Sequence, residues 1–456
     1  MGTEVLLRTT PGPGGGKAAA ALAGMLREPL AGYLRLAADY GDTVRVPMSP
    51  RTSFFLLSRP EQAEHVLAAN QDNYVKAFTY RPLRALIGNG LLTSEGEDWR
   101  RHRRLMQPLF SRRDVRSFGP PMTEATQAML KRWGRVPAGA EIDVAAQLGA
   151  LALDVVGRAL FSADLTGEAA LMSRAMKAGQ RVAVLATFAP LPWGPRSTRA
   201  LKAVARRVGR TSEGIEGPVG RLISDRRGQL AAGAPAGHRD LLDVLMSART
   251  EDGSALTDTE ISDELATFML AGHETSAVTL SWALALLSAY PQARVRLEEE
   301  LDTVLAGREP EAADADRLPW TSAVIGETMR LYPPAWTIER DAVAGDNVAG
   351  VPVPAGSTVA IPPYLVHRHP DFWPDPAGFD PGRFLTATDR HRYAYIPFGA
   401  GRRACIGQSF AELETVLVLA SVAQRFRLEL TPLGIPKPTA AITLRPGKLP
   451  MRLRAR

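Results

Sequence analysis

A chain of 456 residues, 45% of them hydrophobic, has room for one large domain or two and for a core deep enough to enclose a cofactor. Its single cysteine excludes a disulfide framework and a four-sulfur cluster and fits a reducing compartment. The formal net charge of +7 does not mark a nucleic-acid binder, because basic and acidic residues are mixed and no zinc or aromatic-interleaved pattern accompanies them.

Residues 1–25, with the glycine- and proline-rich TTPGPGGGK, read as a flexible segment rather than a signal peptide, and residues 26–456 as a single domain. No apolar run reaches the ~20 residues that a membrane-spanning helix needs, so the expectation is a cytoplasmic protein without a membrane anchor. EPLAGYLRLAADYGDTVRV predicts a helix running into a strand, TSFFLLS a second strand and RPEQAEHVLAAN another helix. A turn-rich stretch from Tyr74 to Glu97 follows. From Trp99 to Ser247 the pattern is mainly helical, with breaks at VPAGAE, PLPWGPR and AAGAPAGHR. The densest basic cluster, WRRHRRLMQPLFSRR, is either a solvated helix face or in part a surface for an acidic partner. A helix of about forty residues is expected next, broken near Pro291, its first half apolar enough to be central and buried.

Polar residues inside that apolar run need partners or a purpose. In AGHETS, Thr275 can turn its hydroxyl from the helix carbonyls to a water, and Glu274 can relay protons; alternatively the Thr bonds back to its own helix and the Glu sits in an ion pair. Glu327 and Arg330 are one helical turn apart, a spacing that allows an ion pair. Cys405 lies in FGAGRRACIG, just before a helix-like segment. A lone thiolate there can be the one protein ligand of a haem iron, its charge held by helix N–H groups and nearby cations; the alternative is a small buried hydrophobe. His273, His102 and His391 form no H-E-x-x-H metal motif; His273 is expected at or near the cavity and His102 within the basic helix.

Phe398, Gly399, Gly401, Arg403, Cys405 and Gly407 resemble the haem-binding loop of the cytochrome P450 superfamily of haem-thiolate monooxygenases. AGHETS, E-x-x-R, W-x-x-x-R and the arginine of DPGRF extend the resemblance over roughly residues 99 to 407, with Gly382 departing from the commoner Glu. The resemblance implies a mainly α fold with a small β region, and Cys405 as the metal ligand of haem b. Trp99, Arg103, Arg340 and Arg403 are then propionate contacts, with Phe398 and Gly399 beside the sulfur. Ala271 and Gly272 let the central helix pass close over the haem, and Glu274 and Thr275 serve dioxygen activation. Glu327, Arg330 and Arg383 form a supporting network. The stretch between two helices at PLPWGPR corresponds to a mobile lid. The substrate pocket is assigned to Phe78, Leu91, Leu92, Phe268, Met269, Ala335, Trp336, Thr337, Ile338, Ala440 and Ala441, largely apolar or small.

The implied function is hydroxylation or epoxidation of a hydrophobic small molecule, a terpenoid, fatty acid or polyketide-like compound, as part of secondary metabolism. O2 is the co-substrate. Electrons come from NAD(P)H through a ferredoxin or flavodoxin with a separate reductase. The alternatives are a peroxide-driven haem-thiolate hydroxylase, against which the Glu274–Thr275 pair argues, and a non-catalytic haem sensor or carrier.

Overall fold

The computed structural model describes residues 10–165, 211–232, 240–249, 253–431 and 434–456, with scattered positions between 166 and 210. The expected lid around PLPWGPR lies outside the described residues. Within the segment expected to be flexible, the alanine-rich Gly16–Arg27 forms a helix, α1, whose Ala18 and Met25 are buried. Its partner is α2 (Pro29–Tyr40), started by a proline at its first turn. Gly32 makes the contact possible, since a Cβ there would sit 2.8 Å from Met25 Cγ.

The chain then builds the main sheet from distant segments. β1 (Thr43–Pro47) pairs antiparallel with β2 (Ser53–Leu57), which pairs in parallel with Thr358–Ile361; Ile338–Ala342 and Tyr74–Lys76 complete the sheet. Every residue of β2 is buried. Phe54 and Leu56 face the cluster under α2 while Phe55 and Leu57 face the other side, so the strand is apolar throughout rather than alternating.

The helical body comprises α3 (Gly96–Met106), α4 (Gly119–Trp133), α5 (Val144–Phe161), α6 (Asp258–Ala289), α7 (Pro291–Leu305), α8 (Pro319–Leu331) and α9 (Gln408–Arg425). The long apolar run is α6, started by a capping box in which Thr257 and Glu260 satisfy each other's backbone N–H groups and ended just before Pro291. Its core face, including Leu265, Met269, Leu280, Trp282 and Ala283, is fully buried. α5 is the one described helix long and apolar enough to cross a membrane, and it lies in the core between α4 and α6.

The E-x-x-R motif is a closed polar knot. Glu327 and Arg330 are both 0% exposed, with Arg330 Nε 2.7 Å from Glu327 Oε2. The remaining guanidinium N–H groups donate to the carbonyls of His367 (3.0 Å), Pro376 (2.8 Å) and Gly378 (2.7 Å). Arg383 Nε donates to Glu327 at 3.1 Å and its Nη1 to the Pro374 carbonyl at 2.7 Å. Gly382, where Glu is usual, is held by its own N–H to Asp380 at 2.9 Å. The knot ties α8 to the irregular chain that leads into the cysteine loop. Because removing one partner leaves a buried charge unmatched, Glu327→Ala should cost about 3–5 kcal/mol of stability, read by urea unfolding.

Candidate active site at the cysteine loop

The loop from Phe398 to Gly407 is shaped by its glycines. Gly399 and Gly401 have φ of +70° and +66°, and a Cβ on Gly401 would stand 1.9 Å from the Leu67 carbonyl oxygen. The turn returns on itself so that the Cys405 N–H donates to the Phe398 carbonyl at 2.8 Å, and α9 starts three residues after the cysteine. The thiol is accessible to solvent, so it is not the small buried hydrophobe of the alternative reading. The surrounding protein nevertheless deprives it of bulk hydration, and this pushes its pKa up; the Gly407 N–H and the Arg103 guanidinium pull the other way. Arg103 Nη1 donates to the Ala404 carbonyl at 2.8 Å, so α3 braces the loop directly beside the sulfur.

Next to the loop lies an excess of enclosed positive charge. Arg340 is 8% exposed and donates to the Glu339 carbonyl at 2.9 Å. Arg403 donates to the Ser94 carbonyl at 2.9 Å, pairs with Glu95 and stacks 4.1 Å above the Trp99 ring. Its pKa falls to about 10 through burial, with Arg340 and Arg103 adding to the fall and Glu95 opposing it. Lys76, absent from the sequence expectations because no motif marks it, is held well below its ordinary pKa by burial and then by Arg340 and Arg403. Arg103, Arg340 and Arg403, with Lys76 beside them, outnumber the nearby carboxylates of Glu95 and Glu339, and each gains from a further anion. A soft sulfur whose proton would be released to solvent on binding a metal cation, beside cations suited to two carboxylates, fits haem b. A cavity of about 150 Å³ between Tyr74, Glu95, Trp99, Arg340 and Arg403 opens beside this cluster.

Along α6, Ala271 is exposed although Leu270, Met269 and His273 around it are buried, and Thr275 is partly exposed. Thr275 Oγ1 donates to the Ala271 carbonyl at 2.7 Å. The Glu274 carboxylate accepts from the Thr443 hydroxyl at 2.6 Å and lies 3.4 Å from Arg445 Nε. Both groups thus have the partners of the second reading of AGHETS, and Thr443 and Arg445, which carry no sequence signal, anchor the acid to the carboxy-terminal hairpin. Gly272 answers to helix packing: a Cβ there would meet Val156 Cγ2 of α5 at 2.5 Å. One residue after Thr275, Ser276 donates to Glu414 of α9 at 2.5 Å, linking the polar segment of α6 to the helix that follows Cys405.

The expected pocket residues divide. Leu92 packs with Leu86, Tyr80 and Ile442 against Ala266 and Leu270 of α6. Ala335 is exposed, while Phe78, Thr337, Ala440 and Ala441 are half-buried. Ile338 is buried, its Cδ1 3.7 Å from where a Cβ of Gly399 would stand. The others turn away: Phe268 stacks on Phe110 at 5.3 Å, and Met269 and Leu91 lie in the main core. Trp336 packs 5.2 Å from Tyr33 and donates to the Ala441 carbonyl at 2.9 Å. His273 faces Gly149 of α5, and His102, expected on a basic face, is buried 2.6 Å from Glu264. Among the described residues no His, Cys, Asp and Glu group could hold a separate metal ion. On the outer side of the loop, Arg103, Arg104, Gln107, Pro108 and Ile406 border an open basin of about 510 Å³.

Residues 22–450 match the cytochrome P450 family model. The chain belongs to the cytochrome P450 family. A cytochrome P450 of Mycobacterium tuberculosis numbered 132 is 38% identical over 86% of each chain. Pentalenene oxygenase of Streptomyces avermitilis is 36% identical over 95% of this chain and 94% of its own. The crystal structure of the cytochrome P450DA heme domain superposes with a TM-score of 0.81 at 26% identity, over 94% of this chain and 93% of that one. The mainly α fold with small sheets is accordingly the P450 fold, and the protein is a haem-thiolate oxidoreductase of the monooxygenase type that uses haem b and O2 on a hydrophobic substrate.

The P450's buried Glu414 carries a pH signature. Burial raises its pKa to about 8, with the Ser276 hydrogen bond acting in the opposite sense. A folded pKa above the unfolded one means stability present in full below about pH 4.5 and lost progressively as pH rises to about 8, at up to ~1.4 kcal/mol per unit. Glu414→Gln should flatten that decline, read as chemical-denaturation midpoints across the interval.

Proposed function

We propose that this P450 oxygenates a terpenoid hydrocarbon, with Cys405 as the iron ligand and electrons delivered by a separate ferredoxin or flavodoxin. The observation that carries the site assignment is the accessible thiol of Cys405 braced by Arg103 beside the Lys76, Arg340 and Arg403 cluster. Haem b held there supplies dioxygen activation and insertion of one oxygen atom into a C–H bond or an alkene. The protein's own part is to position and to deliver protons. Arg340, Arg403, Lys76 and Arg103 would hold the haem's carboxylates, while Arg103 keeps the sulfur's loop in place. Thr275 holds a proton at Oγ1 over the accessible Ala271, and Glu274, kept in place by Thr443 and Arg445, restores it from the hairpin side.

Two observations support the substrate class. Leu86, Leu92 and Ile442, packed against α6, offer apolar contact, Ala335 is exposed, and the neighbouring Tyr80 hydroxyl is engaged by Arg340. The similarity to pentalenene oxygenase, covering nearly the whole of both chains, points to a compact hydrocarbon rather than a long acyl chain. Titration of the ferric protein should give a saturating spin-state shift with cyclic terpenes at micromolar concentration and a shift at least roughly tenfold weaker in affinity, worth about 1.4 kcal/mol, with straight-chain fatty acids; the reverse order would overturn this reading.

The basin bordered by Arg103 and Arg104 is the proposed electron-delivery face, because its lining combines these two cations with Ile406, the residue next to Cys405. Charge reversal of Arg104, Arg112 and Arg113 should slow reduction by an acidic ferredoxin on the order of tenfold at low salt and converge with wild type at high salt, measured by stopped-flow.

A further inference from the structure

The amino-terminal half of α6 carries polar side chains that the Glu274–Thr275 pair leaves unexplained. Glu264 is 1% exposed and Thr267 4% exposed, yet among the described residues Glu264 Oε2 and Thr267 Oγ1 have no hydrogen-bond partner. Glu264 Oε1 lies 2.6 Å from Nδ1 of His102 on α3, itself 3% exposed. Ser94 Oγ, on a residue 0% exposed in the loop before α3, is likewise without a partner. Buried polar atoms of this kind are satisfied by internal water, and a hydroxyl and a carboxylate one turn apart give such water several bonds.

Their placement has a direction. At about 100° per residue, Glu260, Glu264, Thr267, Ala271 and Thr275 fall within a strip about 80° wide on one side of α6. The outer end is the surface pair of Arg101 with Glu260, 2.5 Å apart. The inner end is the Ala271 carbonyl that already accepts the Thr275 hydroxyl. The span from Glu264 to Thr275 is about 16 Å along the axis, with Thr267 between them. Glu274 lies off this strip, turned to Thr443 and Arg445.

We infer that this strip is a second, hydrated proton track to Thr275, parallel to the Glu274 route, with Glu264 beside His102 as its inner acid and Thr267 as the intervening hydroxyl. A proton enters by the Arg101–Glu260 mouth and passes through His102 and Glu264. A file of several waters, the first bonded to Thr267, carries it over the remaining roughly 12 Å to Thr275 Oγ1; each group gives one proton inward and takes one from outside, so no electron moves and every group returns to its starting state. Glu264 and Thr267 are positioning residues acting through Thr275, and the inference rests on the reading of Thr275 as the proton-holding alcohol.

Two measurements test it on the haem-loaded protein. A crystal structure should hold ordered water within about 3 Å of Glu264 Oε2 and of Thr267 Oγ1; a dry space, or protein groups bonded to both atoms, would overturn the track. In stopped-flow, ferrous protein is mixed with dioxygen and the return of the ferric spectrum followed in H2O and D2O, a reaction in which iron loses one electron while dioxygen gains that electron and one proton. Parallel routes predict that Glu264→Gln and Glu274→Gln each slow the return modestly, and that the double variant slows it at least tenfold beyond the product of the two, with an altered isotope ratio. Thr267→Val, which keeps the shape, should behave as Glu264→Gln does when combined with Glu274→Gln. A double variant no slower than Glu274→Gln alone, while Thr275→Ala is slow, overturns the track by itself. If Thr275→Ala returns at the wild-type rate, the reading of Thr275 fails and the track with it.

Discussion

Holding one sulfur at a fixed point inside a protein, with no second side chain to share the task, is a demand on the backbone, and most of this structure answers it. The two left-handed glycines turn the loop, the Phe398 carbonyl receives the Cys405 N–H, and α9 begins immediately beyond. Arg103 reaches from α3 to the carbonyl before the sulfur. The approach to the loop is held by Arg330 and Arg383, which donate to carbonyls between residues 367 and 378 and to the Glu327 carboxylate that joins them. A buried ion pair used in this way fixes geometry rather than adding much net stability. Burial also works against the charged forms of Cys405, Arg403 and Lys76, so the site gains from taking up a metal cation and carboxylates together.

The second constraint is the passage of α6. Ala271 leaves the helix surface accessible, while Gly272 lets α5 approach so closely that a methyl group there would collide with Val156. Two adjacent small residues therefore serve different neighbours. The polar residues that follow are likewise sent in different directions: Glu274 to the carboxy-terminal hairpin, Thr275 along its own helix and Ser276 to α9. Within one turn the helix thus ties itself to the carboxy-terminal hairpin and to α9.

Much of this was readable from residue patterns. Apolar length announced α6, proline marked its end, and the glycine-rich cysteine loop carried the resemblance to the family that the comparisons then established. Side-chain direction was not readable. Phe268, Met269 and Trp336 occupy positions near the expected pocket in sequence, but helical rotation turns the first two into the core, and the indole of Trp336 finds its acceptor at Ala441. His102 looked like one more member of a basic helix, because the acid that lies beside it, Glu264, is 162 residues away in the chain and meets it only when α3 packs on α6. Lys76, Thr443 and Arg445 belong to no motif and acquire meaning through sheet pairing and the hairpin alone.

The claim on which the account turns is that Cys405 is the iron's protein ligand. The most direct measurement is the absorption spectrum of the dithionite-reduced, carbon-monoxide-bound protein, wild type beside Cys405→His. A thiolate opposite carbon monoxide gives a strongly red-shifted Soret band, which the wild type should show and the variant should lose, moving to the position of a histidine-ligated haem. A wild type that already absorbs like a histidine-ligated haem, or a variant that keeps the red shift, would contradict the assignment.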